Sequence, residues 1–150
     1  MYNKIGDNMK LAIVNDHWGY ELKKYIIKHL KGVEIIDLGS NSKEISDWSE
    51  YGIKLGEYIV KNNCYGVSIC RTGVGMSIAC NKVKGVRCAK VNSIKETKLS
   101  RSDDDVNAIA IPGEIKPERA VRIVEEFLNT EFSQKDRYIR RKKQIADYEK

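Results

Sequence analysis

The chain has 150 residues, with 27 Lys and Arg against 21 Asp and Glu and a formal net charge of +6. A chain of this length makes one domain and buries about 70% of the surface its unfolded form would expose, so it needs no disulfide or metal staple. The positive balance suits phosphorylated small molecules or nucleic acid, but the cations gather toward the C-terminus without interleaved aromatic rings, which counts against a nucleic-acid partner.

Residues 1–8 read as a flexible extension and 9–150 as a single domain. Lys10 to Asn15 reads as a strand that ends at Asp16-His17. Tyr20, Leu22, Tyr25, Ile26 and Leu30 then recur at helical spacing, with Asp16 or His17 near the cap and Gly32 beyond the end. His29 falls on the solvated side of that helix. Val33 to Leu38 predicts a second strand, Asp47 to Val60 a helix, and Tyr65 to Cys70 a buried third strand. Met76 to Asn81 has helical character, Val86 to Val91 predicts a fourth strand, Ser93 to Ser102 a helix and Val106 to Ile111 a fifth strand. Pro117 to Leu128 is an amphipathic helix with proline in its first turn.

Strands alternating with helices in this way predict an α/β chain, a three-layer Rossmann-like fold whose five-stranded parallel sheet is covered on both faces, followed by a C-terminal helix. Ligands of such sheets sit beyond the carboxyl ends of the strands. Asp16-His17, Cys70 to Gly75 and the loop after the fourth strand all belong to that edge. No stretch approaches the roughly 20 apolar residues of a membrane span, and the opening MYNKIGDN lacks the apolar core of a secretory signal. Cys64, Cys70, Cys80 and Cys88 lie in or beside apolar runs with no Cys-x-x-Cys spacing, which argues against a metal site and for reduced thiols in a cytoplasmic protein.

The stretch richest in chemistry is YGVSICRTGVGMSIACNK, Tyr65 to Lys82. A strand ends at Arg71-Thr72-Gly73-Val74-Gly75, whose glycines let the backbone bend and approach a ligand, and a helix opens after it. The amides at such a helix start are an anion site. Cys70, the last strand residue, beside Arg71 and ahead of that helix, is placed to be a base or nucleophile, although most free cysteines are small buried hydrophobes. Thr72 adds a hydroxyl, so a base, a proton relay and an oxyanion site share one turn. A dinucleotide fingerprint does not fit, because Gly73-Val74-Gly75-Met76-Ser77-Ile78 lacks the third glycine. Asp16 reads as a helix cap and equally as an acceptor for a sugar hydroxyl. Arg137 and Arg141, four apart, share a face of any helix and suit a phosphate; a solvated basic tail is the plainer reading.

Cys70-x-Thr-Gly-Val-Gly-Met-Ser-Ile-Ala-x-Asn-Lys resembles the signature of the ribose-5-phosphate isomerase B family, which includes the galactose-6-phosphate isomerase subunits. The resemblance extends from Met9 to Ile145, through Asp16-His17, Ser100-Arg101 and the ending Arg137-Tyr138-Ile139-Arg140-Arg141. It implies a cofactor-free, metal-independent isomerase that interconverts an aldose phosphate and its ketose through an enediolate, in homodimers whose sites draw on both subunits. By resemblance Cys70 is the base and Thr72 the proton shuttle on the oxygens. The amides around Gly73, Val74 and Gly75 hold the oxyanion, and His17, Arg137 and Arg141 hold the phosphate.

The chain also departs from that pattern. Asp47-Trp48-Ser49-Glu50-Tyr51 has tryptophan for the family's tyrosine and lacks its proline. Tyr138 replaces the histidine of the C-terminal motif. Asp103 stands where ring opening is assigned to a histidine, and Asp104 where asparagine is usual. The three-acid cluster 103–105 offers Asp103 as a proton carrier, or leaves it in a solvated loop. Arg71 replaces a glycine and is free to pair with Asp103, Asp104 or an anionic substrate, and Glu114 stands where a phosphate-site arginine is expected. Ribose 5-phosphate and ribulose 5-phosphate are the expected substrate pair. The alternatives are another sugar, such as a hexose 6-phosphate, and a binding protein impaired in turnover.

Overall fold

The computed structural model describes residues 8–150. The extension expected over 1–8 therefore lies outside the described residues except for Asn8. The strands are β1 Lys10–Asn15, β2 Glu34–Asp37, β3 Tyr65–Cys70, β4 Cys88–Lys90 and β5 Ala108–Pro112. The helices are α1 Tyr20–His29, α2 Trp48–Asn62, α3 Val74–Asn81, α4 Ile94–Asp104, α5 Pro117–Asn129 and α6 Asp136–Tyr148. A 3-10 turn, His17–Gly19, joins β1 to α1.

The five strands form one parallel sheet in the order β2-β1-β3-β5-β4, as the alternation of strands and helices requires. All six residues of β3 are buried, because it lies at the centre of the order with both faces covered. Side chains of β1 alternate between two cores. Leu11 and Ile13 join Leu22 and Ile26 of α1 and Val121, Val124 and Phe127 of α5 on one face. Ala12 and Val14 join Leu55 and Ile59 of α2 and Met76 and Cys80 of α3 on the other. Each Leu, Ile, Val or Phe so enclosed contributes about 1.5–3 kcal/mol of hydrophobic stabilisation.

The element ends shift where backbone partners, not side-chain patterns, decide. β2 and β4 are shorter than their apolar runs, α3 begins at Val74 and not at Met76, and α4 continues to Asp104, so the acidic cluster is a helix end and not a loop. Asp105 caps that end in the left-handed region, at φ 48°. His29 closes α1 and stacks on Tyr25, with ring centroids 4.0 Å apart. Among the described residues no helix is long and apolar enough to cross a membrane.

Candidate active site

β1 and β3 end side by side, and the turns that follow them build the site. The Asp16 N–H donates to Ile69 O at 3.0 Å, tying the 3-10 turn to β3. Asp16 Oδ1 accepts from the Trp18 amide at 2.9 Å, so the capping role and a place at the site coexist. Asp16 is 2% exposed. Burial is the largest influence on its carboxyl and raises it above the ordinary aspartate range, against the lowering pull of the Trp18 amide and His17. His17 Nδ1 accepts from the Ser46 amide at 3.3 Å, which leaves Nε2 as the hydrogen-bearing nitrogen.

Cys70 is the last residue of β3. Gly73, at φ +81°, reverses the chain in a conformation that other residues rarely adopt. Its N–H donates to Cys70 Sγ at 3.2 Å, and the Val74 N–H donates to Thr72 Oγ1 at 3.2 Å. Two of the three amides expected to hold an oxyanion are thus aimed at the very side chains expected to move protons. Gly75 has its own reason to be glycine: a Cβ there would lie 2.6 Å from the Trp48 indole. Trp48, the first residue of α2, therefore closes one wall of the turn.

Asp16, His17, Trp18, Trp48, Cys70, Arg71, Thr72 and Gly75 line one cavity of about 210 Å³. Cys70 is only 4% exposed and packs with the core on that face of the sheet, at the place where this cavity meets it. Arg71 does not reach Asp103 or Asp104. Its guanidinium lies over the Trp18 ring, 4.5 Å from the centroid, and its Nε is 3.5 Å from Glu114 Oε1. The backbone arranges that meeting, since the Gly113 N–H donates to Cys70 O at 2.7 Å and sets residue 114 beside residue 71.

The remaining expected site residues lie elsewhere in the chain. α4 delivers its C-terminal end to the start of β5, where Ala108 pairs with Gly66 near the start of β3, so Asp103 and Asp104 stand at the amino edge of the sheet. They line a second cavity of about 180 Å³ with Arg87, Tyr138, Arg141, Lys142 and Ile145. Asp103 Oδ1 accepts from Ser102 Oγ at 2.8 Å. The carboxyl of Asp104 is raised, first by burial and then by the charge of Asp103, with Arg141 pulling it down. Arg137 and Arg141 flank Tyr138, with their guanidinium carbons 4.5 and 5.8 Å from its ring centroid.

Asp105 anchors this second group. It is 1% exposed and meets Arg101 at 2.9 Å, Lys142 of α6 at 2.5 Å and Arg87 at 3.6 Å. Sequence reasoning missed Trp18 as a site residue and Asp105 as an anchor. Trp48 carried a signal, its place in the departing segment 47–51, but nothing in the sequence pairs Arg71 with Glu114. Among the described residues no three His, Cys, Asp or Glu side chains gather as a metal-ion group.

The sequence profile described as Ribose/Galactose Isomerase matches residues 11–145. A probable ribose-5-phosphate isomerase B of Mycoplasma pneumoniae is 36% identical over 148 residues, covering 95% of this chain and 97% of that protein. Ribose-5-phosphate isomerase B of Escherichia coli is 35% identical over 127 residues, covering 82% of this chain and 85% of that one. Among solved structures, the Mycoplasma genitalium ribose-5-phosphate isomerase B with bound ribulose-5-phosphate superposes with a TM-score of 0.89 at 35% identity, covering 94% of this chain and 96% of that one. The Thermotoga maritima ribose 5-phosphate isomerase also superposes with a TM-score of 0.89, at 37% identity, covering 93% and 98%.

Proposed function

The chain belongs to the ribose/galactose isomerase family and is a sugar-phosphate isomerase, and we propose that it interconverts ribose 5-phosphate and ribulose 5-phosphate through an enediolate, with residues 9–150 acting as one domain. The observation that carries this reading is Cys70, a residue lining the cavity at the end of β3 beside Thr72, with its sulfur accepting from the Gly73 amide. In the open-chain aldose the Cys70 thiolate takes the proton from C2. The electron pair of that C–H bond forms the C1–C2 double bond, and the carbonyl pair moves onto O1. The thiol then returns the proton to C1, and Thr72 carries the hydroxyl proton of O2 to O1. Protons and electrons balance, and the enzyme ends as it began.

Charge appears on O1 only as the reaction proceeds, so donors already fixed around it accelerate the step, each by about 10²–10³. In that turn the Gly73 and Val74 amides are given to Cys70 Sγ and Thr72 Oγ1, so the Gly73 amide steadies the thiolate and the Gly75 amide serves O1. Asp16 accepts from a sugar hydroxyl and His17 donates to the phosphate. Asp103, Asp104, Arg137 and Arg141 stand at the opposite sheet edge, so they serve this cavity from a second copy, in a homodimer whose sites draw on both chains.

Incubating the purified protein with ribose 5-phosphate and following ketose formation tests the reading. Ribulose 5-phosphate that no longer forms with Cys70→Ala supports it. Ketose formed only from a hexose 6-phosphate would keep the reaction and replace the substrate. Binding without turnover of any sugar phosphate would make the chain a binding protein, the outcome that an aspartate at position 103 favours.

A further inference from the structure

Among the described residues, Arg71 is the one Arg or Lys whose side chain lines the Cys70 cavity. Its guanidinium plane is held over Trp18 at 4.5 Å, a stack that fixes the fork while leaving its N–H groups free to be shared. Glu114 approaches the Nε side at 3.5 Å, and both side chains are 61% exposed. An ion pair of that length in that much water is weak and exchangeable. It is also durable as a neighbourhood, because the Gly113 N–H bond to Cys70 O, 2.7 Å long, fixes the backbone on both sides of it. A Cβ at Gly113 would lie 2.5 Å from Trp18 O, so the same close approach ties the third partner, Trp18, into place.

A ligand carboxylate that takes the fork from Glu114 exchanges one single charge for another and gains nothing electrostatically. A phosphate ester brings up to two charges and three acceptor oxygens, and a guanidinium fork receives it on two parallel bonds. We propose that Arg71 and Glu114 form a charge filter at the mouth of the cavity: a dianionic phosphate displaces Glu114 from Arg71, and a carboxylate or a neutral sugar does not. This rests on the sugar-phosphate reading above and deepens it by assigning the residues that select the phosphate.

Titration calorimetry with inorganic phosphate and with ribonate, on the full chain and on Arg71→Ala, Arg71→Lys and Glu114→Gln, tests the filter. All three changes are at exposed side chains, and circular dichroism confirms the fold. Arg71→Ala should weaken phosphate binding about tenfold or more, and Arg71→Lys should restore only part of it, since the charge returns without the fork or the stack. Glu114→Gln should tighten phosphate binding and narrow the gap between phosphate and ribonate. In turnover, Arg71→Ala should raise KM for the phosphorylated sugar with a smaller change in kcat. Phosphate binding unchanged in Arg71→Ala, or a phosphate-to-ribonate preference unchanged in Glu114→Gln, overturns the proposal. The titrations need no turnover, so a failure to isomerise ribose 5-phosphate would remove the assigned reaction and leave the filter standing or falling on its own data.

Discussion

The turn at Cys70 and the cluster at Asp105 stand at opposite edges of one sheet and are held in different ways. At Cys70 the restraints are backbone: the Gly73 amide on Sγ, the Val74 amide on Thr72, and the Gly113 amide on Cys70 O. Peptide dipoles held this way need not move when charge changes on the groups they face. At Asp105 the restraints are charges on long side chains, with one buried carboxylate gathering Arg101, Arg87 and Lys142. Lys142 belongs to α6, none of whose residues is buried, so this carboxylate is a main tie between that helix and the sheet. The two edges thus differ in what holds them, peptide dipoles at one and ion pairs between long side chains at the other. Cys70 and Thr72 stand at one edge, and Asp103, Asp104 and Arg141 at the other.

The largest test breaks the first edge alone. Cys70→Ala should lower kcat by about 10²–10⁴, the range for loss of a positioned base, with the melting temperature little changed. Rates equal to those of the parent chain would remove sulfur from the mechanism.

Mixing tests whether the edges belong to one site. Cys70→Ala chains and Arg137→Ala/Arg141→Ala chains should each be poorly active, but refolded together they should regain activity, since one of the two shared sites in a mixed dimer carries neither defect. Recovery in no mixture would place the two groups in separate functions.

Asp105→Asn breaks the second edge. Arg101, fully buried at 0% exposure, loses its carboxylate partner, and removal of one member of a buried ion network costs about 3–5 kcal/mol. Urea unfolding measures this, and a loss below about 1 kcal/mol would show that the cluster does not anchor the fold.

The smallest effect is electrostatic and lies at the first edge. Burial raises the Asp16 carboxyl in the folded chain, so the folded state keeps its proton to higher pH than the unfolded state does. Between the two values the unfolded chain binds fewer protons, and stability from this group falls as pH rises and returns as pH is lowered. Asp16→Asn keeps an oxygen for the Trp18 amide and removes the proton. Unfolding free energy measured across the acid range should then lose part of its decline with rising pH, and an unaltered slope would mean the carboxyl is already relieved by its hydrogen bonds.

The readable parts of this chain are those governed by neighbours in sequence. The alternating cores of β1, the buried run of β3 and the proline that opens α5 follow from local pattern and chain geometry. The turn 70–75 was legible because the strand end, the glycine and the helix start fall in six consecutive residues. Asp105 was not, since a third acid in a row reads as a solvated charge until the fold surrounds it with cations from α4, α6 and the residue before β4. Arg71 and Glu114 were each noticed as departures, and nothing local said that they meet.

By itself the sequence determined the parallel sheet, the glycine turn at its carboxyl edge and the family, because each of these depends on periodicity or on a contiguous motif. The tertiary structure alone decided which of the charged residues face one another, that Trp18 and Trp48 wall the cavity, and that the acidic cluster faces away from Cys70. The physical reason is range. Hydrophobic period and turn conformation are fixed within a few residues, whereas charge pairing depends on which strand ends the sheet order brings together.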